Sequence, residues 1–235
     1  MKPSSFSQLG SFHLPRVLIV SVALMACGGR SDSDRLTEPG TASSTVASVT
    51  VRSEPDEERP PGAGCEVPYP DWVTSPYVLP YPVGEEHLVA LDNCSSSFHA
   101  AGQPDSFAYD FDLGIGDTVT AARAGVVLHV DESQADYGGG LGNIVVIDHG
   151  DDTRGIYLHF TTDGVDVENG QEVVAGDVLG QSGASGLAGY PHLHFIVVDA
   201  PGDYPYSGVA VTFSNTSPNP FGPQTGDVLR AEAPR

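Results

Sequence analysis

Two histidines stand two residues apart in the stretch "GYPHLHFIVV", where an apolar and β-branched run begins. Such a run predicts a β-strand, and the side chains of a strand alternate between its two faces. His192 and His194 are therefore expected on the same face, with both imidazoles reaching one place. Paired imidazoles suit metal binding or proton transfer.

Two further stretches bring residues of the same chemistry. In "YLHF", Tyr157 and His159 are expected on one face of a strand, and in "FAYDFD", Asp110 lies among apolar residues. A buried carboxylate needs a partner or a metal ion. Imidazole and carboxylate together suit zinc, at about 2.0–2.2 Å per ligand, and a catalytic zinc ion keeps one position open for water.

Each of these residues also has a structural interpretation. A single His-x-His pair is more often structural than metal-binding, and a single aspartate in a strand usually bonds to nearby backbone. His159 alone is compatible with a hydrogen-bonded core histidine, and structural roles are favoured for His129 and His149. The whole set, in its order along the chain, favours a functional site.

The elements that must position these residues are short strands separated by turns. Turn signals such as "GIGD", "YGGGLG" and "GASGLAGYP" divide the apolar runs. No segment after the apolar N-terminal stretch has a convincing helical period. The sequence predicts an all-β domain over residues 97–214, with strands at 107–113, 118–121, 125–130, 143–149, 156–160, 172–174, 178–181, 192–198 and 209–213.

The composition narrows the classes of partner. The chain of 235 residues contains 31 Asp and Glu against 10 Lys and Arg, a formal net charge of −21. Nucleic-acid phosphates and anionic lipid surfaces are both bound through Lys and Arg. The charge therefore argues against nucleic acid as a partner and against electrostatic adhesion to a membrane.

The N-terminus has the pattern of an export signal. Lys2 and Arg16 precede an apolar run at 17–26 that is too short to span a bilayer, which takes about 20 residues. "LMAC" resembles a bacterial lipobox, so we expect a signal peptide at 1–26 and lipid modification of Cys27. Gly28 after the cysteine resembles the pattern of outer-membrane lipoproteins, which implies the periplasmic face of that membrane in a diderm host. An ordinary secretory signal that contains a cysteine is the alternative.

Export bears on the remaining cysteines. With Cys27 lipidated, Cys65 and Cys94 are an even pair in an oxidising compartment, which favours a disulfide over two free buried thiols. The bridge would close a loop of about 30 residues and contribute about 3–4 kcal/mol of stability.

Three segments outside the β domain have distinct compositions. Residues 27–64 are rich in Ser, Thr, Glu, Asp and Pro, which predicts a disordered linker behind the lipidated cysteine. Residues 65–96 form a Pro- and Tyr-rich lead-in. Residues 215–235 are expected to be a loosely ordered tail.

Taken together, these motifs resemble the lysostaphin-type zinc metallopeptidases of the bacterial cell wall. "AYDFDLGIGDTVTAARAGVV" is similar to the family's Asp-bearing strand and following turn, and "GNIVVIDHGDDTRGIYLHF" to its Tyr-x-His region. "VENGQEVVAGDVLGQSGASG" resembles its glycine-rich turns, and "PHLHF" its closing motif. The resemblance covers about residues 94–199 and implies a compact antiparallel β-sandwich or barrel-like fold, the duplicated hybrid motif, with short strands and long loops.

The resemblance implies a role for each candidate residue. Asp110 and His194 would be zinc ligands, and His159 and His192 the catalytic histidines, one as general base and the other assisting the oxyanion or leaving amine. The family usually places its first histidine ligand four residues before the aspartate, where this chain has Ser106. His99 is then the expected third ligand, brought back by a loop containing Gly102 and Pro104.

The activity implied is hydrolysis of peptide bonds in peptidoglycan stem or cross-bridge peptides. The alternative is an inactive module of the same fold that binds the wall or activates a wall amidase, for which the departure at Ser106 is the main argument. A serine hydrolase is disfavoured because no Gly-x-Ser-x-Gly motif occurs. A His-Glu-x-x-His metallopeptidase is excluded by the absence of that motif.

Overall fold

The computed structural model describes Arg59 and residues 63–202 and 204–233. The predicted signal peptide, Cys27 and most of the predicted linker lie outside the described residues. Within the described ranges, no helix has the length and apolar character needed to cross a membrane.

The described part of the chain is built from strands. Its helical elements are two 3-10 turns, Trp72–Thr74 and Ser97–His99, and its strand pairings are antiparallel. The all-β prediction is therefore confirmed. The strands are β1 (Glu86–Leu91), β2 (Tyr109–Phe111), β3 (Thr118–Thr120), β4 (Gly125–Asp131), β5 (Asn143–Asp148), β6 (Thr153–Val165), β7 (Glu172–Val173), β8 (Val178–Ser182), β9 (Leu193–Asp199) and β10 (Val228–Arg230).

The strand order brings three distant parts of the sequence side by side. The order is β10-β1-β2-β9-β6-β5-β4-β7, and β8 pairs with both β3 and β6. Asp110 is on β2, His194 on β9 and His159 on β6, so the predicted site residues occupy three adjacent strands.

The main core packs on one face of these strands. Phe111, Tyr157 and Phe195 are fully buried there with other aromatic side chains. Residues that alternate with them, such as Ile196 and Val198, form a smaller apolar cluster on the opposite face with Ala108 and Ile156. Because it alternates with Phe195, His194 shares that second face.

The ends of the folded region are more ordered than the sequence predicts. Strand β1, from the lead-in, pairs with β2 on one side and with β10 on the other. Leu229 and Ala231 are buried, and the hydroxyl of Tyr81 donates to the carbonyl of Leu229 at 2.8 Å. The expectation of a loosely ordered tail is therefore wrong for β10. Its three residues, Val228–Arg230, are too few to show the alternation that predicts a strand.

The strand predicted at 209–213 is wrong. The structure has no strand there; the N–H of Val209 donates to the carbonyl of Val197 at 2.8 Å, and Val211 and Phe213 are buried in the main core. The apolar alternation of this segment reflects side-chain packing and does not require a hydrogen-bonded ladder.

The predicted disulfide between Cys65 and Cys94 is present, with the Cα atoms 5.0 Å apart. Cys94 also forms an isolated bridge with Ala100, and its N–H donates to the carbonyl of Ser106 at 2.8 Å. The disulfide therefore anchors Cys94, and the backbone bond to Ser106 closes the 94–106 loop, which carries His99.

Candidate metal centre and its histidines

Asp110 and His194 are brought together by strand register. They are directly opposite residues of the antiparallel pair β2–β9, flanked by the pairs Tyr109–Phe195 and Phe111–Leu193. Those flanking side chains face the main core, so Asp110 and His194 point the other way. Oδ1 of Asp110 lies 2.9 Å from Nδ1 of His194.

His99 completes the cluster from outside the sheet. It ends the 3-10 turn Ser97–His99 and is 1% exposed. Its Nε2 lies 3.2 Å from Oδ1 of Asp110 and 3.4 Å from Nδ1 of His194. The loop therefore returns His99 to Asp110, as the resemblance implies.

The three facing atoms fit one zinc ion. Tetrahedral ligands at about 2.0–2.1 Å from zinc are separated from one another by about 3.3–3.4 Å. The observed separations of 2.9, 3.2 and 3.4 Å lie at or just below that spacing, so a small outward movement of Asp110 and the two rings would admit the ion. The donor set of two imidazoles and one carboxylate is one that catalytic zinc uses, with a fourth position for water or substrate.

The electrostatics of the cluster favour a cation. Burial of Asp110 opposes ionisation, but the hydrogen bonds and charges of His194 and His99 outweigh it, so the pKa of Asp110 lies well below its ordinary value. Burial alone would lower the pKa of His194, yet its contacts with Asp105 and Asp110 raise that pKa to about 9. Positive charge is thus stabilised where the three ligand atoms meet, and a divalent cation would displace the proton there.

His159 reaches the site through a β-bulge. Asn143 pairs with Phe160 and Ile144 with Leu158, so His159 is an extra residue without a partner on β5. Its φ is +73°, a left-handed conformation that a non-glycine residue adopts only at a cost. Bulges of this kind re-aim side chains and are frequent next to active sites.

The bulge corrects one prediction. Tyr157 is buried in the main core, whereas the His159 ring packs against His192 and His194, with ring centroids 4.6 and 5.9 Å away. The two residues therefore do not share a face. Strict alternation predicted that they would, and the sequence contains no separate signal for the inserted residue.

His159 and His192 are oriented alike by backbone carbonyls. Nδ1 of His159 donates to the carbonyl of Ser185 at 2.7 Å, and Nδ1 of His192 donates to that of Tyr190 at 2.8 Å. Each ring therefore presents Nε2 as its free basic nitrogen. Nε2 of His192 lies 3.6 Å from Oδ1 of Asp110, so His192 and His194 do reach one place.

The surroundings of both histidines favour the neutral imidazole. Burial, with the neighbouring His192 and His194, lowers the pKa of His159 to about 4. Burial is also the main reason that the pKa of His192 lies below its ordinary value. A neutral imidazole is the form that accepts a proton from an attacking water.

Two residues that were not expected to bind the metal, His149 and Ser106, lie outside the cluster. Nδ1 of His149 donates to the carbonyl of Ala124, and its ring packs edge-on against Tyr77. Ser106 is buried, with its carbonyl taken by the N–H of Cys94. Neither residue belongs to the metal cluster.

Two supporting groups were missed by sequence reasoning. Asp136 accepts hydrogen bonds from the N–H of Ala184 at 2.7 Å and from the hydroxyl of Thr161 at 2.6 Å. Asp105 approaches His194 from the side opposite Asp110, with Tyr206 bonded to it. Isolated Asp and Tyr residues in loops give no periodic signal, so no pattern could have found them.

A buried His-Asp-His cluster with two further histidines beside it, on an antiparallel β domain, is an arrangement that a zinc-dependent hydrolase could use. Comparisons with known proteins narrow this class. The model of peptidase family M23 matches residues 106–204. Lysostaphin from Staphylococcus simulans is 36% identical over 89 residues, which are 38% of this chain and 17% of lysostaphin. The glycyl-glycine endopeptidase ALE-1 from Staphylococcus capitis is 34% identical over 89 residues, 38% of this chain and 23% of its own length.

A solved structure gives a similar comparison. A zinc-containing peptidase from Vibrio cholerae is 26% identical, with a TM-score of 0.43, over 57% of this chain and 39% of that one. The segment at 106–204 is thus similar both to peptidase family M23 and to lysostaphin. The chain spans less than a quarter of the length of the curated relatives it matches.

Proposed function

We propose that this protein is a zinc-dependent endopeptidase that hydrolyses peptide bonds in peptidoglycan stem or cross-bridge peptides. The observation that carries the proposal is the convergence of His99, Asp110 and His194 on one point, with His159 and His192 beside it. The endopeptidase activity named for ALE-1 and the family match at 106–204 support it.

His99, Asp110 and His194 would hold the zinc ion. When bound, zinc would polarise the scissile carbonyl and lower the pKa of a bound water, so that the water could act as a nucleophile near neutral pH. The chain itself supplies the fixed orientation of the ligands, since Asp110 and His194 lie on paired strands. Burial of all three side chains excludes bulk water and strengthens each charge interaction in the site.

His159 and His192 supply proton transfer. Each has its Nδ1 hydrogen committed to a carbonyl, so Nε2 is free to accept a proton from the attacking water or to return it to the leaving amine. The two rings are 4.6 Å apart between centroids. This spacing allows them to act on two atoms of the same peptide bond.

Two glycine-rich loops, 137–142 and 183–191, border the histidines. The isolated bridges Asp136–Ser185 and Gly139–Gly186 join them. A Cβ on Gly186 would lie 2.6 Å from the Cα of Gly142, so this close approach requires glycine. Leu141 and Leu187 project from the loops, 92% and 75% exposed. We infer that the joined loops form a wall along which an extended peptide lies.

Wall digestion tests the proposal. The purified protein is expected to hold about one zinc ion per chain and to release peptides from peptidoglycan, with mass analysis of the new termini identifying the bond. His99→Ala should lose zinc and activity, while Ser106→Ala, at the position usual for the first ligand, should keep both. Zinc binding without release of wall peptides, together with stimulation of an amidase, would contradict the endopeptidase activity.

We also propose that the protein is exported and anchored by lipid at Cys27, at the periplasmic face of the outer membrane. The disulfide between Cys65 and Cys94 supports export, because such bonds persist in oxidising compartments. In envelope fractions, Cys27→Ser should move the protein from the membrane to the soluble fraction, and mass analysis should find no acyl chains. An unmodified wild-type Cys27 would contradict the anchor.

A further inference from the structure

We propose that Asp105 and Tyr206 form a positioning pair that fixes the ring orientation and proton position of His194 and thereby sets the affinity of the metal site. The inference rests on the metal centre of the proposed function. It assigns a role to two residues that flank the segment 106–204 matched by the family model.

The contacts run inward from the surface to the buried ring. Tyr206 donates its hydroxyl hydrogen to Oδ1 of Asp105 at 2.6 Å. The same carboxylate oxygen lies 3.5 Å from Nε2 of His194, at the long limit of a hydrogen bond. The His194 side chain is 8% exposed and that of Asp105 is 21% exposed, so this charge acts where water screens it little.

The two nitrogens of His194 have different surroundings. Nδ1 faces Asp110 and His99, the point where the ligand atoms converge. A metal ion there takes the lone pair of Nδ1, so the ring hydrogen must be on Nε2. Nε2 is buried and forms no hydrogen bond of good geometry within the described ranges. Asp105 is the acceptor placed to receive that hydrogen.

A carboxylate behind a ligating imidazole stabilises the metal-binding tautomer and makes the ring a stronger donor to the metal. Tyr206 fixes the carboxylate in turn. Its ring packs against the small apolar cluster that also contains Ala108 and Ile196. The N–H of Ala108 donates to the carbonyl of Asp105 at 2.9 Å, which fixes the backbone of Asp105. Both members of the pair are therefore held before a metal binds.

The other histidine ligand is supported differently. Nδ1 of His99 is buried without a hydrogen-bond partner among the residues that the structure describes. His99 is oriented by its 3-10 turn and by the anchored loop around it. Of the two histidine ligands, only His194 has a carboxylate, that of Asp105, facing its second ring nitrogen among the described residues. Asp105 and Tyr206 should therefore influence the metal affinity through the His194 ring.

The test measures zinc affinity directly, by competition with a chromogenic chelator on the full chain. Asp105→Ala should weaken zinc binding about 10–100-fold, the range for loss of a partner behind a metal ligand. Asp105→Asn keeps an acceptor oxygen and should restore part of the loss. Tyr206→Phe keeps the ring packing and should show a smaller loss than Asp105→Ala. With cobalt in place of zinc, the visible bands of Asp105→Ala should differ from those of the wild type.

Two controls separate positioning from general stability. Tyr204→Phe removes a hydroxyl from a tyrosine that is 72% exposed and 5.5 Å from Tyr206 between ring centroids. Asp112→Asn removes one negative charge at an exposed position on the same stretch as Asp110. Both should bind zinc as the wild type does. The metal-free unfolding free energy of each variant shows whether it folds.

The outcomes are distinct. Weaker binding in Asp105→Ala and Tyr206→Phe, with unchanged controls, supports the pair. If wild type and all variants bind zinc equally tightly, the positioning role is overturned while the proposed function stands. If the wild-type chain binds no zinc, the proposed function fails and the pair fails with it. Should Asp105→Ala not fold, Asp105→Asn and Tyr206→Phe decide by the same comparison.

Discussion

Asp136 accepts the backbone N–H of Ala184 at 2.7 Å, and this bond joins the two loops that border His159 and His192. The other carboxylate oxygen accepts the hydroxyl of Thr161 at 2.6 Å, on the strand that carries His159. One side chain thus connects loop 137–142, loop 183–191 and β6. The carbonyl of Ser185, which orients His159, belongs to the same connection.

Asp136→Ala should therefore destabilise the protein by about 1–3 kcal/mol, since it leaves polar partners unsatisfied. It should also lower the activity more than the zinc content. The carbonyl of Ser185 orients His159, and the substitution removes the bond that fixes the neighbouring Ala184. Urea unfolding, zinc analysis and wall digestion measure the three effects. The matched control, Asp166→Ala at an exposed position, should change none of them. Equal stability of the two variants would contradict the joining role.

Replacing the two histidines proposed to transfer protons should separate catalysis from metal binding. His159→Ala and His192→Ala are each expected to lower kcat by about 10²–10⁴-fold, the usual contribution of general acid–base catalysis. Neither ring supplies one of the three converging ligand atoms, so zinc content should be close to that of the wild type. Steady-state kinetics on a defined wall peptide and metal analysis give the two readouts.

Tyr190→Phe is the matched control for His192. Tyr190 stacks on the His192 ring, with centroids 4.6 Å apart, but supplies its carbonyl and not its hydroxyl to Nδ1. The phenylalanine variant should keep most of the activity. Full activity in His192→Ala would remove that residue from the mechanism.

The stability of the fold should depend on pH through His149. Burial lowers the pKa of His149 below its ordinary value. In the unfolded chain the imidazole binds a proton as the pH falls below about 6.5, whereas in the folded chain it stays neutral to lower pH. The unfolded state then binds more protons, so the free energy of unfolding decreases as the pH falls from about 6.5 toward the folded pKa.

His149→Gln isolates this contribution because glutamine keeps a donor for the carbonyl of Ala124. The variant should lose less stability than the wild type between pH 7 and pH 5, measured by urea unfolding on metal-free protein. His129→Gln, on exposed β4 surface, is the control and should follow the wild-type pH profile. Identical profiles for all three proteins would sink the assignment to His149.

Loss of the disulfide should weaken both the fold and the metal site. Cys65→Ala combined with Cys94→Ala is expected to cost about 2–5 kcal/mol of stability, as for other native disulfides. The loop that carries His99 is anchored at Cys94, so zinc should also dissociate faster from the variant. Thermal unfolding and a chelator-trap assay measure the two effects. An unchanged zinc dissociation rate would show that the turn holds His99 without the disulfide.

The parts of this protein that the sequence predicts are those with regular spacing. His192 and His194 are two residues apart at the start of β9, and glycine turns separate the apolar runs. The all-β fold and the approach of these two histidines to one site could therefore be predicted. Asp110 and His194 are 84 positions apart in the sequence, and they meet because β2 pairs with β9. The resemblance to a known family, and not the residue pattern alone, indicated that they meet.

Other features depend on contacts that leave no periodic trace. The bulge at His159 arises from one extra residue opposite β5, and strict alternation assigned that residue to the wrong face. The three residues of β10 are too few to show a pattern, and their order comes from pairing with β1. Asp105 and Tyr206 meet across 101 positions through a single hydrogen bond. Such pairs become visible only when the chain is folded.

Contacts outside the matched segment limit how this domain can be truncated. A fragment trimmed to the family match at 106–204 would lack His99, both cysteines of the bridge, and the aromatic anchor Phe213. It would carry a recognisable signature without its third ligand atom. Fusions built from this protein should therefore take residues 63–233 as the transferable unit, because the segment matched by the family model is smaller than the folded domain.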